Sequence, residues 1–396
     1  MVVAVVKETF EGERRVAVVP ASVGPLRKAG LEVVVEAGAG LAAGYPDAVY
    51  AEAGCRIAAT RNEAFQQANI LAQVRALGAN PGSWADDAPS IRAGAAVIGL
   101  MDPLGSPESI ADAARYGWTA FALELLPRIT RAQSMDVLSS QANLAGYKAA
   151  LMAANASPKL FPMMMTAAGT ITPARVFVLG AGVAGLQTIA TARRLGAVVT
   201  AYDVRPAVRE QVESLGARFA EIELDASDAQ DSGGYAKALG PEFYAKQAEM
   251  MTGWLAESDA AICTAAVPGQ RAPILITKQM VEQMRPGSVI VDLAAERGGN
   301  CEVTEPGAVV EHHGVRVIGP LNVPSELPYH ASQLYSRNMA TFLAHIVRSG
   351  AVCADRSDEI IAGTLVLHEG QVVHARLREM LGMAELEAPA KQGDAQ

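Results

Sequence analysis

The sequence predicts an α/β protein with two doubly wound domains, each built on a mostly parallel sheet, joined by long helices. The first observation is the length, because 396 residues exceed one ordinary domain and favour two or three. The second is the composition: 50% of the residues are apolar but only 5% are aromatic, so the core must be rich in alanine, valine and leucine. Such a core suits helices packed closely on a parallel sheet. The third is a repeated alternation of β-branched runs with helical patterns.

The first third of the chain supplies a first series of strands and helices. A helical pattern covers Ala21–Ala29 and is closed by Gly30. Strands that alternate with helices pair in parallel, so this series predicts a doubly wound sheet. The expected strands are Val2–Val6, Arg15–Val19, Leu31–Glu36, Ala95–Leu100 and Thr119–Leu123.

A long proline-free helical pattern follows, from about Ser134 to Asn155. Ser134 is the expected N-cap, and Asp136 is placed favourably near the positive end of the helix dipole. Pro158 and Pro162 end the pattern. Its length predicts a rod that joins two domains.

A second β–α series comes next and has the strand count of a complete dinucleotide-binding domain. The polar stretch Asp225–Gln247 within it predicts either a mobile flap or a flexible lead-in to a helix. After the series, a helix at Ser332–Val347 is expected to return to the first domain, and residues 384–396 are expected to form a disordered tail. The expected strands are Arg175–Leu179, Val198–Tyr202, Ala260–Thr264, Ser288–Leu293 and Val315–Ile318.

These patterns divide the chain into two predicted domains. Residues 1–135 together with residues 330–396 are expected to form an N-terminal domain that the C-terminal segment closes. Residues 136–329 are expected to form the second domain, which carries the dinucleotide site described next.

Charge and cysteine usage argue against several classes of protein. The formal net charge of -9 disfavours binding to nucleic acid or to an anionic membrane surface. The four cysteines are far apart and form no CxxC pair, which favours free thiols in a reducing compartment. The N-terminus lacks a signal-peptide pattern. The uncharged run Val176–Ala192 approaches the length of a membrane span, but its glycines predict a strand, a turn and a helix, so we expect a soluble protein.

A glycine-rich motif lies between the strand Arg175–Leu179 and the helical segment after it. In a Rossmann-like domain, Gly180 permits the sharp turn, Gly182 lets a pyrophosphate approach the backbone, and Gly185 lets helix and strand pack closely. The helix N-terminus then presents N–H groups to the phosphates. Strand, turn and helix together predict one dinucleotide site, at the run Gly180-Ala181-Gly182-Val183-Ala184-Gly185.

An acidic residue at the end of the following strand predicts which dinucleotide is bound. Asp203 ends the strand Val198–Tyr202, at the expected distance of roughly 20 residues from the motif. A carboxylate there accepts hydrogen bonds from the ribose hydroxyls of adenosine and repels a 2′-phosphate, which favours NAD(H) over NADP(H). The prediction is therefore NAD(H), although Arg205 is close by and an arginine in this position can also accommodate a 2′-phosphate.

Several long motifs closely resemble proton-translocating NAD(P) transhydrogenase, and specifically its NAD(H)-binding first component. The resemblance extends to about Val373, and its longest and most specific portion is the first motif. The motifs are Leu126–Tyr147 (LPRITRAQSMDVLSSQANLAGY), Phe161–Gly169 (FPMMMTAAG), Gly233–Lys237 (GGYAK) and Val291–Asn300 (VDLAAERGGN).

The resemblance implies roles for particular residues. Tyr235 would lie on a mobile loop, with Gly234 beside it, and Val267 would also contact the nucleotide. Taken by itself, the polar cluster before the long helix is equally typical of a helix cap with solvated charges. The residues implied to hold the nicotinamide end of the cofactor are Arg128, Gln133, Asp136 and Ser139.

Alanine dehydrogenase is the competing family, and its chemistry needs different residues. Reductive amination requires a general acid/base and a carboxylate anchor, for which that family uses an arginine, a lysine and a histidine. Here Arg15 is the arginine candidate, but Gln73 stands where we align the lysine, and Val97–Pro103 has no histidine. Hydride transfer between two nicotinamides requires ring contact and exclusion of water instead of that set. The sequence therefore favours the transhydrogenase family.

The resemblance also implies partners and a location. The chain would bind NAD(H), while a beta subunit would bind NADP(H) and a membrane subunit would carry protons. The chain would be a homodimeric, cytoplasmic subunit that is peripheral on the inner face of the plasma membrane. It would be active only within the complex, as a Re/Si-specific NAD(P)+ transhydrogenase. A non-catalytic NAD sensor is the alternative from a different class, and it would show no hydride exchange.

Overall fold

A computed structural model confirms an α/β protein with two domains and mostly parallel sheets. It describes residues 1–221, 241–266 and 269–386. One compact unit comprises Met1–Gln141 and Ser325–Gln396, and the other comprises Ala142–Pro324. The expected flap lies outside the described residues as far as residue 240, and so does the expected tail from residue 387 onward.

The strands are short, as is usual for parallel sheets that are covered on both faces. They are β1 (Val2–Val5), β2 (Glu32–Glu36), β3 (Arg56–Ala58), β4 (Ile70–Arg75), β5 (Ala96–Leu100), β6 (Thr119–Ala122), β7 (Met164–Thr166), β8 (Gly169–Ile171), β9 (Arg175–Leu179), β10 (Val198–Tyr202), β11 (Arg218–Phe219), β12 (Ala260–Cys263), β13 (Val289–Asp292), β14 (Val309–His312), β15 (Val315–Ile318), β16 (Val347–Arg348), β17 (Ala351–Val352), β18 (Leu365–His368) and β19 (Gln371–Val372).

The helices include two long ones, α6 and α11, close to the lengths that the sequence predicted. They are α1 (Pro20–Lys28), α2 (Asp47–Glu52), α3 (Arg61–Gln67), α4 (Trp84–Asp87), α5 (Pro107–Ala113), α6 (Val137–Ala156), α7 (Val183–Arg194), α8 (Arg209–Ser214), α9 (Pro241–Glu257), α10 (Lys278–Glu282), α11 (Pro328–Ile346), α12 (Glu359–Thr364) and α13 (Ala375–Met380).

The first unit is built on an eight-stranded sheet in the order β19-β18-β6-β5-β4-β1-β2-β3. The six strands from β6 to β3 are parallel, whereas β18 and β19 extend the sheet in antiparallel fashion. The core between this sheet and its helices is rich in valine, alanine and leucine, as the composition predicted.

The predicted strand Arg15–Val19 is wrong. This segment belongs to no sheet, although its residues are buried. The backbone N–H groups of Val16 and Val19 donate to the hydroxyls of Ser332 and Ser336 on α11, at 3.0 and 2.9 Å. Hydroxyl groups on α11 therefore accept the backbone hydrogen bonds that a neighbouring strand would otherwise accept.

The second unit is built on a seven-stranded sheet in the order β11-β10-β9-β12-β13-β15-β14. All its neighbouring strands are parallel except the edge pair β14–β15. The uncharged run Val176–Ala192 consists of β9, a turn and α7, as predicted. Within residues 1–221, 241–266 and 269–386, no helix combines the length and apolar character needed to cross a membrane.

Candidate functional site

The glycine-rich turn in the second unit joins β9 to α7. Gly180 has φ +94°, a left-handed conformation that side chains disfavour. A Cβ built on Gly185 would lie 1.9 Å from the carbonyl oxygen of Gly180, so only glycine allows α7 to pack this closely on the strand. The turn therefore has the geometry that the sequence predicted for these two residues.

Gly182 leaves room above the turn. Among the described atoms, a Cβ built on Gly182 comes within 4 Å of only one, Nη2 of Arg205, at 3.9 Å. The helix α7 begins at the next residue, Val183, and its first N–H groups have no intrahelical acceptor. A polar group with negative charge can thus approach both the backbone at Gly182 and the positive end of the helix dipole.

Thr264 completes this crevice and was missed in the sequence. It follows β12, the neighbour of β9, and its Oγ1 donates to the carbonyl oxygens of Leu179 and Gly180 at 3.1 and 3.0 Å. The chain reverses direction across the sheet between these two strands, and such a switch point is where ligands bind in open α/β sheets. Its position directly after a buried strand was the signal available in the sequence.

Asp203 lies at the end of β10 with its side chain almost entirely buried. Its carboxylate accepts four N–H groups: the backbone N–H of Ala181 at 2.7 Å, and the backbone N–H, Nε and Nη2 of Arg205 at 2.9, 2.8 and 2.8 Å. A carboxylate offers about four acceptor positions. In this conformation Arg205 therefore occupies the acceptor positions that a ribose would need.

Two further buried polar residues hold the loops around the crevice. Asp292 accepts hydrogen bonds from the backbone N–H groups of Ala294 and Asn300, at 3.0 and 2.7 Å. The Asn300 amide donates to the carbonyl oxygen of Ala265 at 2.8 Å and accepts from the Ala265 N–H at 3.1 Å. These positioning residues lie in the Val291–Asn300 motif, to which the sequence assigned no separate role.

The polar motif of the first unit surrounds the start of α6. Asp136 caps this helix, because its carboxylate accepts the N–H of Ser139 at 2.9 Å and the Ser139 hydroxyl at 2.5 Å. The expected cap, Ser134, is wrong: it lies in a 3-10 turn, Thr130–Met135, that precedes α6. The cap shifts by two residues because Ala132 and Met135 are buried and hold the turn against the core.

Arg128 and Gln133 have exposed side chains on the same segment. The backbone that carries them is anchored by Asn338, whose amide donates to the carbonyl oxygen of Ser134 at 2.8 Å. Arg131 pairs with Asp358 at 3.2 Å. The first unit thus presents a guanidinium and an amide on a well-anchored segment next to the capped helix.

Arg15, the candidate anchor for a substrate carboxylate, is buried and already engaged. Its guanidinium donates to both carboxylate oxygens of Glu13, at 2.8 and 2.6 Å, and to Gln141 at 2.9 Å. Burial alone would raise the pKa of Glu13, but the charge and hydrogen bonds of Arg15 outweigh it and lower that pKa to about 2. A substrate carboxylate would have to displace this internal one.

The remaining predicted site residues divide into two groups. Val183 and Ala184 form the first turn of α7, beside Gly182. Gly234, Tyr235 and Val267 lie outside the residues that the structure describes.

Comparisons with known proteins agree over nearly the whole chain. Residues 4–145 match the family model for the alanine dehydrogenase/PNT N-terminal domain, and residues 149–375 match that for the alanine dehydrogenase/PNT C-terminal domain. The chain is 47% identical over 381 residues to the first of the chains that make up the NAD(P) transhydrogenase alpha subunit of Rhodospirillum rubrum, covering 95% of this chain and 99% of that protein.

Solved structures show the same pattern. The crystal structure of transhydrogenase from Sinorhizobium meliloti is 46% identical, with a TM-score of 0.82 over 95% of this chain and 100% of that one. An L-alanine dehydrogenase structure reaches a TM-score of 0.81 over 96% of this chain and 99% of that one at 24% identity, a likeness that concerns the fold alone.

Proposed function

Since the chain belongs to the alanine dehydrogenase/PNT family and is similar over nearly its whole length to NAD(P) transhydrogenase alpha subunits, we propose that it is the NAD(H)-binding subunit of a proton-translocating NAD(P)+ transhydrogenase. Hydride would pass directly between NAD(H) on this chain and NADP(H) on a partner subunit. The observation that carries the proposal is the crevice of the second unit, where Gly182, the start of α7 and Asp203 lie together.

The residues of this crevice fit a dinucleotide. The open space above Gly182 and the N–H groups of the first turn of α7 suit the pyrophosphate. The Asp203 carboxylate suits the two hydroxyls of the adenosine ribose. The bound cofactor would donate or accept the hydride at its nicotinamide ring, and these residues would bind and orient it.

Binding in this crevice requires Arg205 to move. Its Nη2 lies 3.9 Å from the position that a Cβ on Gly182 would take, and it also bonds to Asp203 at 2.8 Å. We propose that Arg205 releases Asp203 to the ribose hydroxyls and turns its guanidinium toward the phosphates, so that its charge stays paired. NAD(H) remains the preferred cofactor because Asp203 keeps its negative charge at the ribose.

For the nicotinamide end, we propose Arg128, Gln133, Asp136 and Ser139, as the resemblance implies. Asp136 and Ser139 are bonded to each other in the helix cap, which fixes both side chains. Gln133 and Arg128 have exposed side chains, which makes them accessible to a bound cofactor. Tyr235, Gly234 and Val267, which lie outside the described residues, complete the proposed set, as the resemblance implies.

The proposed reaction needs positioning and not proton transfer. Hydride moves from carbon to carbon between two rings that must approach to about 3–3.5 Å, with water excluded. All six histidines lie at or after His312 in the sequence, which leaves the first unit's N-terminal segment without an imidazole for imine chemistry. An alanine dehydrogenase-like activity is the alternative, but Gln73 and the Glu13–Arg15 pair disfavour it.

The names of the relatives, which are portions or subunits of a larger enzyme, support an assembly with partner subunits. We propose a beta subunit that binds NADP(H), a membrane subunit that carries protons, and a homodimer of this chain on the cytoplasmic face. Proton coupling would arise from conformational changes of the partners that open and close the reacting contact.

The experiment that tests this function is hydride transfer from NADPH to an NAD analogue, measured with and without the NADP(H)-binding partner. We expect transfer only with the partner present. Full-rate transfer by this chain alone, or none with a folded and loaded partner, would overturn the proposal; NADH binding without transfer would indicate a sensor. Activity with alanine or pyruvate would favour the alternative.

A second measurement tests the nicotinamide assignment. Gln133→Ala should slow hydride transfer more than it weakens NADH binding, because the exposed amide is proposed to orient the ring. An equal loss in both quantities would indicate simple nucleotide binding by this residue.

A further inference from the structure

Two histidines and a glutamate form a cluster in the second unit, away from the crevice. Glu282 is the last residue of α10, His312 is the last residue of the edge strand β14, and His313 begins the turn to β15. Their ligand atoms all lie within 4.8 Å of one another. Nε2 of His312 is 2.9 Å, and Nε2 of His313 is 3.9 Å, from the same carboxylate oxygen of Glu282.

The turn explains how adjacent histidines face one acceptor. Neighbouring side chains in a strand point to opposite faces of the sheet. His313 leaves the strand with φ +51°, a left-handed conformation, and the two imidazole rings lie 5.0 Å apart at 50° to each other. The side chain of His313 therefore reaches the face on which His312 meets Glu282.

An ion pair accounts for only some of this geometry. The contact of His312 with Glu282 is an ordinary hydrogen bond, but 3.9 Å is too long for one between His313 and the same oxygen. Two ligands of a tetrahedral zinc ion are about 3.3 Å apart, given bonds of about 2.0–2.2 Å. The two distances of 2.9 and 3.9 Å lie on either side of that separation.

We propose that Glu282, His312 and His313 bind one divalent transition-metal ion of the zinc class, with water as the fourth ligand. Two imidazoles and one carboxylate suit such a metal, whereas magnesium and calcium prefer oxygen ligands alone. The ion would link α10 to the edge strand β14. This site is independent of the proposed hydride transfer.

One neighbouring charge opposes the ion. Lys278 lies one turn earlier on α10, and its positive charge acts on Glu282. Removing that charge with Lys278→Gln should tighten metal binding by about two- to tenfold through relief of Coulomb repulsion. Nonspecific binding elsewhere on the chain would not respond to this change.

The test is a calorimetric titration of tag-free, full-length protein with Zn²⁺, in a Cys353→Ser background because Cys353 is a partly exposed thiol. His313→Gly suits the backbone at φ +51°, and Glu282→Gln keeps the size of the side chain. Each should weaken Zn²⁺ binding by about tenfold or more. The control, His330→Ala, removes an exposed histidine outside the cluster and should bind Zn²⁺ normally.

A thermal readout separates folding from binding. Zn²⁺ should raise the Tm of the parent protein and of His330→Ala by more than it raises that of His313→Gly, because a ligand that binds only the native state stabilises it by an amount that grows with the ratio of ligand concentration to Kd. Equal Zn²⁺ affinity in the parent, His313→Gly and Glu282→Gln would overturn the proposal. Absence of binding to the parent protein at millimolar Zn²⁺ would overturn it as well.

Discussion

Replacing Asp203 by asparagine tests the nucleotide preference most directly. The carboxylate is almost entirely buried and accepts four N–H groups, three of them from Arg205. Asp203→Asn keeps the shape of the side chain and removes its charge. Its amide must also turn one N–H toward a former donor, so we expect a loss of about 1–2 kcal/mol in stability.

The binding effect can be worked out from the charges. A hydrogen bond to a charged acceptor contributes about 1.5–3 kcal/mol, and one between neutral groups contributes about 0.5–1.5 kcal/mol. The hydrogen bonds of the two ribose hydroxyls together therefore weaken by about 2–3 kcal/mol, which corresponds to a roughly 30- to 150-fold loss of NADH affinity. A 2′-phosphate about 5 Å from Asp203 is repelled by about 3 kcal/mol per unit charge at an effective dielectric constant of about 20, partly offset by Arg205. The preference for NADH over NADPH should therefore fall by about tenfold or more.

The assay is fluorescence titration of NADH and NADPH against the parent protein and Asp203→Asn, below the Tm of both. Asp259→Asn is the matched control, because Asp259 accepts the N–H of Arg175 at 2.8 Å and pairs with Lys159 at 2.8 Å, before the amino end of β12 and outside the crevice. It should leave the NADH/NADPH ratio unchanged. An unchanged ratio in Asp203→Asn would refute the ribose assignment.

Three further predictions concern the turn, the buried ion pair and the helix cap. Gly185→Ala should lose about 3 kcal/mol of stability in urea unfolding, because the added Cβ overlaps the backbone. Gly182→Ala should keep its Tm and bind NADH at least about tenfold more weakly. Equal losses of Tm in the two variants would contradict this distinction. Glu13→Gln should destabilise the protein by about 3 kcal/mol at pH 7 and by less than about half of that at pH 3. The reason is that the pKa of Glu13 is lowered to about 2 in the folded state, so the stability that its charge contributes is lost as pH falls from about 4.5 through 2. A loss of stability independent of pH would reject the ion pair. Asp136→Asn retains a good cap, so Tm should hold while hydride transfer slows, and an unchanged rate would leave Asp136 with the cap alone.

Local patterns were sufficient for much of the fold and for some of the site. The strand, glycine turn and helix at Arg175–Arg194 lie within one short segment, so spacing and residue type predict them. The same holds for Asp203 at the end of β10. The strand β4 was missed, and the helix α11 begins four residues before the predicted start because Pro328 suits the first turn.

Contacts between distant residues were beyond those patterns. The segment Arg15–Val19 has the apolar run of a strand. However, its backbone N–H groups donate to hydroxyls that lie more than 300 residues away in sequence. Thr264 meets Gly180 because β9 and β12 are neighbours, and nothing near either residue encodes that pairing.

The sequence by itself thus determined the α/β class, the glycine turn, the position of Asp203 at the end of its strand and the family. Only the tertiary structure decided that Arg205 donates to the carboxylate of Asp203, that Arg15 pairs with Glu13, and that Glu282 lies beside two histidines. The physical reason is the same in each case. Backbone conformation follows from neighbouring residues, whereas the partner of a charged side chain depends on which elements the packed core brings together.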